Sequence, residues 1–159
     1  MPAAADIFYS DEILNWASKA NNKKLPCMND DEVPAPIVQN SRLCGSRLRL
    51  YAWHMPPPHA KFSDIIFDVR ACKLGAAAAA ITEEYYHNAT YDEARIMANF
   101  LSDLLDPTFG DLTLQEMQKT IKGGREFYLF RPFSTYKMRH DSIRLAATAL
   151  LKSCPYKGQ

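Results

Sequence analysis

The sequence has no apolar run long enough to cross a bilayer, which excludes a membrane-spanning helix. It has no basic stripe either. Acidic and basic residues are mixed along the chain, and the formal net charge is only +1. A sustained polyanion such as DNA calls for clustered Lys and Arg, so no nucleic-acid partner is expected. The first eight residues, Met1 to Phe8, lack the basic start and long apolar stretch of a signal peptide, and the Arg-rich amphipathic character of a transit peptide. The expected setting is therefore cytoplasmic and reducing. In that setting the four cysteines, Cys27, Cys44, Cys72 and Cys154, are expected to be free thiols or ligands rather than disulfides. There is no G-x-S-x-G and no phosphate-binding loop. Lys122-Gly-Gly-Arg125 reads as a helix end, which leaves hydrolase and phosphate-binding roles without support.

What is present is ordinary for a globular chain: 159 residues, 47% apolar and 23% charged. That length predicts one domain, residues 1–159, with a real core. The most informative stretch runs from Ile65 to Ile81. Before Cys72 the apolar residues alternate, with Ile65, Phe67 and Val69 on one side and Asp64, Asp68 and Arg70 on the other. That is the period of a half-buried strand. After Cys72 come Gly75 and a run of Ala, which predicts a helix. Cys72 thus stands where a strand hands over to a helix. Unpaired N–H groups and partial positive charge there favour a thiolate.

Taken in order, Asp6 to Ala20 reads as a helix, with start-like polarity at Ser10-Asp11-Glu12. Leu25 to Gln39 holds Pro26, Pro34 and Pro36 and should be extended, with a short strand around Val33 to Val38. Arg47 to His54 alternates, with Leu48, Leu50 and Ala52 on one face, and predicts a strand. Pro56-Pro57-Pro58 closes it, and Lys61 to Arg70 returns. Thr90-Tyr-Asp-Glu93 and Thr113-Leu-Gln-Glu116 read as capping boxes opening two further helices, the first running to about Leu105. The aromatic-rich segment Arg125 to Tyr136 is predicted as an ordered loop. A last helix runs from about Tyr136 or His140 to Ser153, with Ile143, Ala147, Leu150 and Leu151 as its apolar stripe.

Antiparallel pairing of the two strands puts the start of one beside the end of the other. It therefore brings Cys44, in the Cys44-Gly45-Ser46 turn, next to Cys72. His54 and His59 fall at the opposite, Pro-rich end, and Cys27 sits in a Pro-flanked loop with no obvious partner.

Three landmarks follow in order: Leu43-Cys44-Gly45-Ser46, then Ala71-Cys72-Lys-Leu-Gly-Ala-Ala, then Tyr136-Lys-Met-Arg139-His140-Asp-Ser. This pattern resembles the iron–sulfur cluster assembly scaffolds of the NifU/IscU/SufU-like family over nearly the whole chain. It looks most like a proteobacterial subgroup of scaffold-like proteins. The resemblance implies an α+β fold: a small antiparallel sheet of about three strands, helices packed against it, an N-terminal helix and a long C-terminal helix. Where the family has Cys-Gly-Asp, this chain has Ser46 in place of Asp. The resemblance also implies that His140, near the start of the last helix, stands in place of the family's third Cys. The Leu-Pro-Pro-Val-Lys motif of the IscU type is absent, with Arg131-Pro132-Phe133 in that region. The long interval between Cys72 and His140 resembles the SufU type.

The implied ligand set is Cys44, Cys72 and His140. Two thiolates and an imidazole suit zinc, and Cys–His ligation also occurs on iron in clusters. A fourth position is open, or filled by water, Ser46, Asp141 or a partner. The expected function is a scaffold or sulfur relay, non-enzymatic or a zinc-dependent sulfurtransferase. A cysteine desulfurase would supply sulfur to Cys44, iron would join, and a transient Fe–S cluster would pass to apo-protein recipients. A zinc-binding structural or regulatory module that keeps the fold without cluster assembly is the alternative. A metal-free interaction domain is the third reading.

Overall fold

The structure is a computed structural model and describes residues 9–25 and 32–155. The start of the helix predicted from Asp6, and Cys27 with its loop, lie outside the described residues.

Helix α1 (Asp11–Ser18) begins at Ser10, whose side chain accepts the N–H of Ile13. Three strands follow: β1 (Ile37–Asn40), β2 (Arg47–His54) and β3 (Phe62–Arg70). They form an antiparallel sheet in the order β1-β2-β3. Arg47 pairs with Arg70, Leu48 with Val69 and Leu50 with Phe67. The expected alternation holds, with Leu48, Leu50, Ile65, Phe67 and Val69 buried on the inner face. Ile66, on the outer face, is also buried, in a hollow it shares with Asn21, Lys23 and Leu25.

The outer edge of β3 is blocked by side chains. Asn21 donates to the carbonyl of Val69 at 2.9 Å and accepts its N–H at 2.8 Å, standing in for a fourth strand. Glu83 accepts the N–H of Phe67 at 2.8 Å. Lys23 donates to the carbonyl of Ile65 at 3.0 Å and pairs with Asp64. An edge filled this way offers little template to another chain.

After the sheet come α2 (Lys73–Tyr86), α3 (Tyr91–Leu104), α4 (Asp111–Gln118), the short α5 (Gly124–Phe127), a 3₁₀ segment (Tyr128–Thr135) and α6 (Lys137–Ser153). Thr90 and Glu93 make the expected capping box. The second box is not one. Helix α4 starts at Gly110, so Thr113 lies inside its first turn. The stop comes from the turn Asp106 makes with Thr108, which hands the chain to the helix earlier than the pattern suggests.

The aromatic segment is a second correction: residues 124–135 are helical rather than loop. Arg131 fixes the segment against the α3–α4 turn. Its guanidinium donates to the carbonyls of Leu104, Asp106 and Phe109 and to Asp111. Phe127, Phe130 and Phe133 point into the core. The sheet's inner face, α2, α3 and α6 share one apolar cluster, in which Ala77 to Ala79 and Ala146, Ala147 and Ala149 let the helices approach closely.

Candidate functional site

The pairing of Arg47 with Arg70 sets the geometry of the site. It places the β1–β2 turn, which carries Cys44, beside the end of β3, which delivers Cys72. Cys72 is the N-cap of α2, with extended backbone and no capping bond from its own side chain. The first turn of α2 contains no acidic residue, so its partial positive charge faces this end unneutralised by its own helix. In the turn, Gly45 takes φ +69°, a left-handed conformation that strains any side-chain-bearing residue. That kink lets Ser46 fold back beneath Cys44.

Ser46 joins the two cysteines. Its hydroxyl lies 3.0 Å from the sulfur of Cys44 and accepts the backbone N–H of Cys72 at 3.2 Å. Ser41 lies on the other side of Cys44, with Oγ 3.2 Å from the sulfur. From α6, Ser142 reaches in. Its Oγ is 2.9 Å from the sulfur of Cys72 and 3.5 Å from Oγ of Ser46. Ser41, Ser46 and Ser142 are all buried, whereas both sulfurs sit on half-buried residues. The two thiols are thus bridged by a chain of two hydroxyls, Ser46 and Ser142, with Ser41 flanking Cys44.

This environment sets the acidity of Cys44. Burial pushes its thiol up, but hydrogen bonds from the Ser41 and Ser46 side chains, the Ser46 backbone and Ser142 outweigh it and hold the group at about 7. At neutral pH about half of such a group is thiolate. Cys154 is the contrast: burial pushes it up to about 11, and its thiol donates to the carbonyl of Leu150.

His140 stands apart from the two thiols. Its Nε2 lies 2.8 Å from the carbonyl of Phe133. A carbonyl only accepts, so Nε2 carries a proton, and of the two neutral tautomers this is the one with its lone pair on Nδ1. Among the described residues, no group of three or more His, Cys, Asp or Glu side chains is placed to hold a metal ion. The α6 residue that meets the cysteines is Ser142, which the sequence reading missed. Its signal was there: a polar residue one turn before Ala146 and two before Ala149, on the buried side of the helix. Asp141 is exposed and shares a shallow groove with Asn40, Arg42 and Arg144. His54 lies at the other end of the sheet, 2.7 Å from the Tyr91 hydroxyl.

No family model and no curated protein matches the sequence. Solved structures do match in shape. A nitrogen-fixing NifU-like protein (N-terminal) from Brucella abortus superposes with a TM-score of 0.74 and 24% identity, over 96% of this chain and 94% of that one. A hypothetical protein gives 0.73 and 18%, over 95% and 99%. A candidate iron–sulfur cluster assembly scaffold protein for the SUF system, from Fervidobacterium islandicum AW-1, gives 0.63 and 20%, over 92% and 96%. The chain has the fold these proteins share, as the α+β expectation required.

Proposed function

We propose that this chain is an iron–sulfur cluster assembly scaffold or sulfur-relay protein of the NifU/IscU/SufU-like family, working through Cys44 and Cys72. One observation carries the reading: two half-buried thiols from different elements meet at one end of the fold, bridged through Ser46. The fold shared with a NifU-like protein and a candidate SUF scaffold supports it.

Cys44 is the sulfur acceptor. A nucleophilic thiol must be deprotonated yet reachable, and Cys44 combines a lowered pKa with partial exposure. A cysteine desulfurase would bring the sulfur as a persulfide. The Cys44 thiolate attacks its terminal sulfur, the enzyme's cysteine leaves as thiolate, and Cys44 carries the new S–S bond. Cys72 then supplies the second sulfur ligand for iron as the cargo is built, before transfer to an apo-protein. The N-terminal end of α2 stabilises negative charge there.

His140 would join as a nitrogen ligand only by moving toward the thiols, since in this structure it is not grouped with them. Donation of Nε2–H to Phe133 leaves Nδ1 as the ligating nitrogen, the usual arrangement of a ligating imidazole whose other nitrogen is held by a carbonyl. The neutral hydroxyls of Ser46 and Ser142 are weak donors to iron beside thiolate. The site accordingly grips its cargo loosely, which suits a donor.

The test is anaerobic reconstitution with iron, cysteine and a cysteine desulfurase. Measured are iron, acid-labile sulfide, metal content as purified, and persulfide on each cysteine by mass spectrometry. Persulfide on Cys44, with iron and sulfide that depend on Cys44 and Cys72, is the expected result. Tight zinc with no persulfide and no cluster would sink the proposal.

A further inference from the structure

The two edges of the sheet are finished differently. On β3 the outward backbone groups of Val69, Phe67 and Ile65 are taken by Asn21, Glu83 and Lys23. Beyond β1, the N–H of Ser41 donates to the carbonyl of Ser46 at 2.7 Å. Gln39 and Ile37, in step with Ser41, therefore turn their backbone groups toward β2. Val38 and Asn40 turn theirs outward, and among the described residues no side chain caps them. Beside Asn40 this open edge meets α6 in a groove of about 230 Å³. Asp141, Arg144 and Thr148 line it from one face of α6, Gln39 and Asn40 from β1, and Arg42 from the turn.

The lining is mixed in charge and unsatisfied. Arg42, Asp141 and Arg144 are exposed, and among the described residues none of them forms an ion pair. Oε1 of Gln39 is buried and has no hydrogen-bond partner among the described residues. A buried acceptor of this kind calls for a donor from outside the chain. A simple anion would suit the arginines but meet Asp141 and the Gln39 oxygen. A simple cation would meet two arginines. A zwitterion with an amide suits them all: carboxylate on Arg42 and Arg144, ammonium or N–H on Asp141 and Gln39, a peptide unit on the Asn40 backbone. The volume suits something smaller than a drug-sized ligand, such as an amino acid or a short peptide. The groove also opens toward the thiols. Arg42 lies two residues before Cys44, and Asp141 adjoins Ser142, whose Oγ is 2.9 Å from the sulfur of Cys72. A ligand seated there holds its own sulfur on the side of the free, half-buried Cys44.

We infer that this groove binds a small zwitterionic disulfide or thiol of the amino-acid or short-peptide class, and that Cys44 is its point of attachment through a mixed disulfide. The Cys44 thiolate attacks one sulfur of the bound disulfide. The ligand's S–S bond breaks, its other half leaves as thiolate, and Cys44 carries the new S–S bond. The small disulfide is the oxidant, and a second molecule of the free thiol reverses the step. That the adduct blocks sulfur uptake rests on the function proposed above. The groove and the adduct do not.

The experiment measures the rate of mixed-disulfide formation on the full chain, located by peptide mass spectrometry. The probes are glutathione disulfide (zwitterionic), dithiodipropionate (anionic) and hydroxyethyl disulfide (neutral), each normalised to its rate with N-acetylcysteine. Glutathione disulfide should modify Cys44 about tenfold or more faster than the neutral probe. In the Arg42→Gln/Arg144→Gln variant that advantage should shrink to within about twofold, with the neutral probe's rate unchanged. Lys24→Gln/Lys152→Gln makes the same change in net charge away from the groove and should keep the advantage. Equal normalised rates for the zwitterionic and neutral probes in the parent overturn the inference. So does an arginine variant that slows every probe alike, which would place the arginines on Cys44 rather than on a ligand. Dithiodipropionate as fast as glutathione disulfide overturns the zwitterion class, and an adduct on Cys72 in place of Cys44 overturns the point of attachment. An arginine-dependent glutathione adduct on a Cys44 that takes no persulfide from a desulfurase supports the groove and overturns the sulfur-acceptor reading.

Discussion

Replacing Ser46 by Ala removes one atom that serves both cysteines. Its Oγ is 3.0 Å from the Cys44 sulfur and accepts the Cys72 N–H at 3.2 Å. The hydroxyls of Ser41, Ser46 and Ser142 act against burial to bring Cys44 from 9.0 to about 7. Without Ser46 Oγ the titration midpoint should rise by about one pH unit. At pH 7 the thiolate fraction then falls from about a half to about a tenth. Each remaining thiolate is more basic and attacks a disulfide about threefold faster, for a Brønsted coefficient of about 0.4–0.5. The two effects nearly cancel at neutral pH, leaving a loss of about twofold. Above pH 9, where both proteins are largely thiolate, the variant should be about threefold faster. The two pH–rate profiles must therefore cross. The assay is reaction with a small aryl disulfide from pH 5 to 10, resolved at Cys44 by peptide mass spectrometry. The loss of the Cys72 N–H acceptor should lower stability by about 1 kcal/mol, leaving the protein folded. Profiles that superimpose, or that differ by one constant factor at every pH, would refute the idea that the serine hydroxyl sets the acidity of Cys44.

Cys44→Ala and Cys72→Ala should each abolish retention of iron and sulfide after reconstitution. Cys154→Ala should retain both, because its buried thiol is held protonated against Leu150; loss of cargo there would break the assignment. His140→Ala should weaken retention less than either thiol change, and unchanged retention would remove it from the ligand set. Gly75→Ala would place a methyl 2.5 Å from Ser142 Oγ and 2.9 Å from the Ala71 Cβ. It should lower stability by about 1–3 kcal/mol in urea unfolding and disturb the Ser142–Cys72 contact. Arg131→Ala strips donors from three carbonyls and Asp111 together, for an expected loss of about 2–3 kcal/mol without altering the Cys44 pH profile.

The sheet and the meeting of Cys44 with Cys72 were legible because both rest on a period of two. Once Leu48, Leu50, Phe67 and Val69 must share a face, an antiparallel pair has few registers, and each brings the two cysteines to one end. The last helix was less legible because its buried side is wide. The sequence pattern predicts Ile143, Ala147, Leu150 and Leu151 as the stripe, but α6 packs on both the sheet and other helices. Ser142, Leu145, Ala146 and Ala149 are buried as well, and Leu151 is only half-buried. A narrow stripe leaves Ser142 at the margin and lets His140 stand for the site. A broad one puts Ser142 inside. Residues 124–135 misled for another reason. Pro132 argues against an α-helix, but a 3₁₀ run needs only local bonds, and the ties that order it come from Arg131 to distant carbonyls.

The cluster of hydroxyls also bears on what the site does with a thiol. An acidic side chain at position 46 would repel a Cys44 thiolate, and a third thiol at 142 would offer another anchor to a metal. Serine does neither. A hydroxyl donates a hydrogen bond to a thiolate without adding charge, so it raises the acidity of Cys44 and leaves the sulfur available to a nucleophilic step. Because one serine bonds to both cysteines and to Ser142, a change at either sulfur is felt at the other. The network thus ties the setting of one thiol to that of the other through neutral hydroxyls alone.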